Sequence, residues 1–271
     1  MSLISAAELA ARLGEPNLVI CDVRFYLADG AQGRREYEQG HVPGARFVDL
    51  DTDLAGTSGG GRHPLPTVDE FTAVLGRIGV GPGSLVVAYD SASGAIASRL
   101  WWMLRSIGHG RVSVLDGGFQ AWDAAGGPVS TETPPPGTSS YPPVPEWTGV
   151  VDADSVAQGV GLGGTVIDAR SPERFRGEHE PIDPRAGHIP GSINRYHADN
   201  VGPDGLMLSP AQLAERFTGV GSNAMVYCGS GVTACHTLLA MSLIGLSGGR
   251  LYPGSWSEWS SDPERPIAIG G

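Results

Sequence analysis

The chain has 271 residues, 41% of them hydrophobic and 17% charged, which is enough apolar material for one large core or two of ordinary size. A formal charge of -11 argues against nucleic acid as a partner, but not against a small anionic substrate, which responds to local charge. Three cysteines are too few and too odd a count for a disulfide framework, and no apolar run is long enough to cross a membrane, so the expected setting is the reducing cytoplasm.

The chain opens on Ser5-Ala6-Ala7-Glu8-Leu9, which reads as a capped amphipathic helix rather than a signal peptide. An apolar run over 18–24 predicts a strand, and the turn Gly40-His41-Val42-Pro43-Gly44 follows. Helices are predicted over 69–78 and 97–107, with a strand at 85–90 between them. The segment Leu115-Asp116-Gly117-Gly118-Phe119-Gln120-Ala121-Trp122 closes this half. Residues 128–147 hold Pro134-Pro135-Pro136 and Pro142-Pro143-Val144-Pro145, a density that gives a semi-rigid extended connector.

Beyond the prolines the landmarks return in the same order. Thr165-Val166-Ile167-Asp168-Ala169-Arg170 echoes the first strand, and Gly187-His188-Ile189-Pro190-Gly191 echoes the turn. The run 224–228 echoes 85–90, and Tyr252-Pro253-Gly254-Ser255-Trp256-Ser257-Glu258-Trp259 echoes the closing segment; helices are predicted at 210–217 and 233–246. The repeat predicts two domains, 1–127 and 148–271, joined by the linker at 128–147. Continuous apolar strands alternating with helices make each copy α/β, a mostly parallel sheet flanked by helices. In such sheets the functional crevice lies beyond the carboxyl ends of the strands.

Cys228 stands at that place in the second copy, at the head of Cys228-Gly229-Ser230-Gly231-Val232-Thr233. Gly229 and Gly231 let the backbone curl and turn successive N–H groups inward, and a helix starting near Val232 or Thr233 adds its positive end. This cradle is expected to lower the Cys228 thiol pKa and to hold a persulfide anion. In the first copy Asp90 occupies the matching position, and an aspartate cannot become a persulfide.

The Gly-His-Ile-Pro-Gly turn, the Cys228 loop and the 252–259 segment together resemble the tandem-domain rhodaneses, a superfamily of 3-mercaptopyruvate and thiosulfate sulfurtransferases. The resemblance covers essentially the whole chain. It implies a catalytically silent first domain and a catalytic second domain carrying the Cys228 persulfide. Thiosulfate-specialised members are expected to place basic side chains right after the cysteine, whereas Gly229 and Ser230 resemble the mercaptopyruvate enzymes. In that subgroup the serine belongs to a Ser-His-Asp relay reaching into the first domain, which maps onto Ser230, His63 and Asp51. Taken singly, His63 reads as a loop cap and Asp51 as a turn cap. The family's substrate arginines map onto Arg174, as a bidentate carboxylate clamp, and less directly onto Arg185. Arg195 departs from the family pattern and reads as a solvent-facing residue.

The resemblance therefore implies transfer of sulfane sulfur from a small anionic donor, 3-mercaptopyruvate ahead of thiosulfate, through Cys228 to a thiol or cyanide acceptor, thioredoxin being one eligible thiol. No cofactor is implied, and no His/Cys spacing suggests a metal site. His41 and His188 read as holders of their turns, Cys21 and Cys235 as core, and the tryptophans chiefly as core. A Cys-dependent phosphatase needs a longer loop closed by an arginine, but here Thr233 and Ala234 end the loop. A non-enzymatic sulfide-binding module usually lacks the cysteine that this second copy keeps.

Overall fold

The structure is a computed structural model and describes residues 2–271. It divides into two compact units. The first comprises residues 2–56, Pro66–Thr148 and Pro203–Met207; the second comprises Thr57–Leu65, Gly149–Gly202 and Leu208–Gly271. The loop 57–65, which the repeat assigns to the first copy, thus folds with the second.

The first unit carries β1 (Leu3–Ile4), α1 (Ala6–Arg12), β2 (Leu18–Asp22), α2 (Gln32–Gln39), β3 (Arg46–Phe47), α3 (Leu50–Asp53), α4 (Val68–Arg77), β4 (Leu85–Tyr89), α5 (Ala97–Ser106), β5 (Val112–Leu115) and α6 (Gly118–Ala124). Its strands form one parallel sheet in the order β1-β5-β4-β2-β3. The second unit carries α7 (Ala153–Gly161), β6 (Val166–Asp168), α8 (Pro172–Phe175), β7 (Ile193–Asn194), a 3-10 turn (His197–Asn200), α9 (Pro210–Arg216), β8 (Met225–Tyr227), α10 (Thr233–Leu243), β9 (Arg250–Leu251) and α11 (Ser255–Trp259). Its parallel sheet runs β7-β6-β8-β9, the order of the first sheet without its β1 edge. A single parallel bridge, Val150 to Leu251, stands where that edge would be.

Local sequence explains where the elements begin and end. Capping boxes start α1 (Ser5 with Glu8), α4 (Thr67 with Glu70) and α9 (Ser209 with Gln212), each satisfying two orphan amides. The helix expected over 233–246 stops at Leu243 because Gly245 turns left-handed at φ 82° and the Leu246 amide returns to the Met241 carbonyl. The first-copy strand stops at Asp22 rather than running on to residue 24, because Arg24 folds back onto the Asp22 carboxylate (Nη2 to Oδ2 2.6 Å). From there Arg24 reaches the Gly40 carbonyl at 2.7 Å. Arg170 repeats this on Asp168 (2.6 Å) and the Gly187 carbonyl (2.7 Å). Each Asp-x-Arg thus clips its Gly-His-x-Pro-Gly turn to the end of the sheet.

The cores follow from apolar strands covered by helices. Ile20, Val87, Leu115 and Trp122 pack with Leu9 of α1 in the first unit; Val166, Met225, Tyr252, Trp256 and Trp259 pack with Val156 of α7 in the second. The proline-rich segment is tied to the first unit's surface. Ser130 pairs with His41, the Gly137 amide donates to the Arg77 carbonyl (2.8 Å), and the Trp147 indole donates to the Pro66 carbonyl (2.9 Å). Among the described residues no helix is long and apolar enough to cross a membrane.

Candidate active site

Strand β8 is buried throughout and delivers Cys228 to the carboxyl end of the sheet, where it is 2% exposed. Two sets of bonds fix the loop that follows. The Cys228 amide donates to Ser255 Oγ at 3.1 Å. The Cys228 and Gly229 carbonyls accept from the Trp256 amide at 3.0 Å and the Ser257 amide at 2.9 Å. Gly231 stands at φ 76°, and a Cβ there would come within 2.5 Å of the Pro253 carbonyl, so no larger residue fits. Val232 then caps α10, and Thr233 begins it. The amides of that first turn lack intrahelical acceptors and form the electropositive end of the cradle.

Ser230 and His63 meet: His63 Nδ1 lies 2.8 Å from Ser230 Oγ, and both side chains are buried. The contact lies within the second unit, because the 57–65 loop belongs to it. Asp51 belongs to the first unit, in the first turn of α3, with its amide held by the Asp49 carboxylate at 2.9 Å.

Arg174 and Arg185 part company. Arg174 approaches the Cys228 loop, its Nη1 3.4 Å from the point where a Cβ on Gly229 would stand. Its Nε–Nη2 edge, however, is held by the protein's own carboxylates: Nη2 donates to Glu180 at 2.7 Å and to Asp183 at 2.9 Å. The expected bidentate clamp through that edge is therefore already filled, which leaves Nη1. Burial works to raise the Glu180 pKa, but the bonds from Arg174 and from the Asp183 and Ile182 amides hold it below the ordinary carboxylate value. Arg185 is taken up elsewhere. Its guanidinium donates to the carbonyls of Ser260 (2.7 Å), Trp259 (3.1 Å), Arg265 (3.2 Å) and Asp262. Arg185 thus ties down the C-terminal segment and has no edge left for a ligand.

Residues outside the sequence-based set complete the site. Arg62, next to His63, donates to Asp183 Oδ1 at 2.6 Å, and its Nη2 lies 3.1 Å from that same Cβ position on Gly229. Asp183 bridges Arg62 and Arg174 with its two oxygens. Ser255 holds the Cys228 amide. The cue for Arg62 was its adjacency to His63, and that for Ser255 its place in the closing repeat.

Apart from Arg195, the other residues fall as the sequence suggested. His41 Nδ1 bonds the Tyr37 carbonyl and His188 Nδ1 the Phe175 carbonyl, both at 2.7 Å, and each ring stacks on the aromatic it bonds. Cys235 Sγ donates to the Gly231 carbonyl at 3.3 Å, and no disulfide joins any of the three cysteines. Trp256 is fully buried beneath the Arg170 guanidinium. Arg195 is not a free surface residue: its Nε donates to the Arg216 carbonyl at 3.2 Å.

Comparison with known proteins places this geometry. The rhodanese-like domain family matches residues 5–125 and again 152–262. A Pseudomonas aeruginosa protein described as a probable 3-mercaptopyruvate sulfurtransferase is 45% identical, with 99% of this chain and 98% of that one covered. The thiosulfate sulfurtransferase of Mus musculus is 33% identical over 99% of this chain and 96% of its own. The solved structure of a 3-mercaptopyruvate sulfurtransferase from Leishmania major superposes with a TM-score of 0.85 at 31% identity, covering 98% of this chain and 76% of that one. The chain belongs to the rhodanese family, among the sulfurtransferases built of two rhodanese-like domains.

Proposed function

We propose that the protein moves a sulfane sulfur from 3-mercaptopyruvate, with thiosulfate as a second donor, through a persulfide on Cys228 to a thiol or cyanide acceptor. The observation that carries the donor preference is the 2.8 Å contact between Ser230 Oγ and His63 Nδ1 beside the cysteine loop. The two donors differ in what they ask of a proton. Thiosulfate reacts as Cys–S⁻ plus S–SO₃²⁻, giving Cys–S–S⁻ and sulfite, with no proton moved. With mercaptopyruvate, Cys228 attacks the donor's sulfur, the carbon–sulfur bond breaks, and its electron pair leaves on carbon as the enolate of pyruvate. That enolate needs a proton, and a buried Ser–His pair is a route for one. In the second half-reaction an acceptor thiolate attacks the outer sulfur and releases Cys228.

Arg174 Nη1 is proposed to help hold the donor's carboxylate; Gly229, Gly231, Val232 and Thr233 form the cradle around the sulfur. Asp51 is proposed as the third member of the relay on the sequence resemblance. The first domain is proposed to be silent, because Asp90 replaces the cysteine. A reducing cytoplasm is proposed as the setting on the sparse, odd cysteine count, and thioredoxin as a fitting thiol acceptor.

Mass spectrometry after incubation with either donor should show one added sulfur atom on Cys228; an unmodified thiol with both donors would sink the reading. Ser230→Ala should lower turnover with mercaptopyruvate by roughly 100-fold and leave thiosulfate within a few-fold. Equal losses with both donors would show that the pair carries no proton.

A further inference from the structure

The Arg62 guanidinium is only partly used by the fold. Asp183, with a side chain 2% exposed, takes Nη1 at 2.6 Å and simultaneously takes Arg174 Nη2 at 2.9 Å, so one buried carboxylate aims two guanidinium groups. Arg62 keeps Nε, which is buried and has no hydrogen-bond partner, and Nη2. These two nitrogens form one edge of the guanidinium, with their N–H bonds parallel. Nη2 stands 3.1 Å, and Arg174 Nη1 3.4 Å, from where a Cβ on Gly229 would be. Glycine directly after the reactive cysteine is thus what lets both cations lie against the loop. The backbone of Arg62 is itself fixed, its amide donating to Ser257 Oγ at 3.0 Å.

We infer that Arg62 is the residue that selects the sulfur donor, binding the carboxylate of a 2-oxo-3-thiol acid through its Nε–Nη2 edge while Arg174 Nη1 assists. The inference rests on the proposed transfer through Cys228 and names what that site recognises. Parallel donors match the two coplanar oxygens of a carboxylate, whereas the tetrahedral sulfonate end of thiosulfate gains little from them beyond charge. A buried, unsatisfied Nε is also a standing cost to the free protein, one that a bound carboxylate removes.

The test compares Arg62→Met and Arg62→Lys with the wild-type protein, using 3-mercaptopyruvate, thiosulfate and pyruvate, the last a 2-oxo acid without the sulfur. Arg62→Met should raise the KM for mercaptopyruvate roughly 10- to 100-fold, the loss of a charged hydrogen-bonded pair. It should raise that for thiosulfate by no more than about 3-fold, because Arg174 still supplies a positive charge at the loop. Pyruvate should inhibit thiosulfate-driven loading of the wild type competitively and should lose that effect in Arg62→Met. Arg62→Lys keeps the charge without the fork, so it should restore thiosulfate but not mercaptopyruvate. Where Arg62→Met fails to fold because Asp183 keeps only one of its two cations, the double variant Arg62→Met with Asp183→Asn removes that charge and serves instead. A variant that loads normally from thiosulfate and keeps the wild-type KM for mercaptopyruvate overturns the inference. Failure of the wild type to load Cys228 from either donor overturns the transfer reading itself.

Discussion

The two copies of the strand–loop–helix differ in how they fill the same cradle. In the first, Asp90 follows β4 and its carboxylate accepts four backbone amides, from Ala92 (2.8 Å), Gly94 (2.9 Å), Ile96 (2.7 Å) and Ala97 (2.8 Å). In the second, Cys228 follows β8, and the loop closes around a sulfur. The first copy shows that this backbone is an anion receptor by construction: inward amides gather at the start of a helix, and the chain supplies a permanent anion. The proposed persulfide is the removable anion of the second copy, made and discharged in each cycle. A cradle already filled is structural; one that fills and empties is suited to transfer.

The comparison can be broken most forcefully at Asp90. Asp90→Ala should strand four amides in a buried loop and cost the first unit about 3 kcal/mol or more. For a domain of this size that lowers its melting temperature by roughly 10 °C. Asp90→Asn keeps one acceptor oxygen and should lose about half as much. Thermal unfolding gives the totals, and hydrogen exchange at Ala92, Gly94, Ile96 and Ala97 shows whether the loss is local. A melt unchanged for Asp90→Ala would mean that the amides need no anion, and the analogy with a bound persulfide would go with it.

A second difference lies opposite each loop. Gly118 and Ser255 occupy matching places, and both are left-handed, at φ 62° and 54°. A Cβ on Gly118 would come within 2.4 Å of the Asp90 carbonyl, whereas the second copy tolerates a serine and uses it. Ser255 Oγ donates to the Tyr252 carbonyl (2.8 Å) and accepts from the Cys228 amide (3.1 Å). Ser255 thus positions the backbone of Cys228. Ser255→Ala keeps the strained backbone and orphans the amide, costing about 2 kcal/mol. Ser255→Gly relieves the strain, so it should be more stable by about 1 kcal/mol. Both should load sulfur roughly 10-fold more slowly than wild type, a deficit of about 1.4 kcal/mol in the barrier. A fully active Ser255→Gly would reduce the serine to a packing residue.

The tandem repeat made much of this visible in the sequence. Matching strands, turns and closing segments fixed the α/β class, and Cys228 stood out because a glycine-flanked cysteine followed a strand and preceded a helix. Ser230 and His63 were legible only through the family resemblance, since 167 residues separate them. Arg185 misled because an arginine near a motif carries no mark of its partners; only the fold shows the C-terminal carbonyls closing over it. Arg62 and Asp183 were missed for the converse reason. Their importance comes from a loop that the repeat assigned to the first copy and that folds with the second. Chain order could not show which unit would claim residues 57–65.

The smallest expected effect concerns Cys21, the first copy's only cysteine, which lies in β2 rather than in the loop. Its counterpart is Ile167, and both side chains are fully buried. Burial pushes the Cys21 thiol up to about 12. At pH 8 only about one molecule in ten thousand then carries the thiolate, the form that alkylating agents attack. Brief treatment with iodoacetamide should therefore label Cys228 and spare Cys21 until the protein is unfolded. Because a buried cysteine packs as a small hydrophobe, Cys21→Val should change stability by less than about 1.5 kcal/mol and leave sulfur loading as it was. Rapid native labelling of Cys21, or slowed loading in Cys21→Val, would place a second working sulfur in the copy that Asp90 otherwise marks as silent.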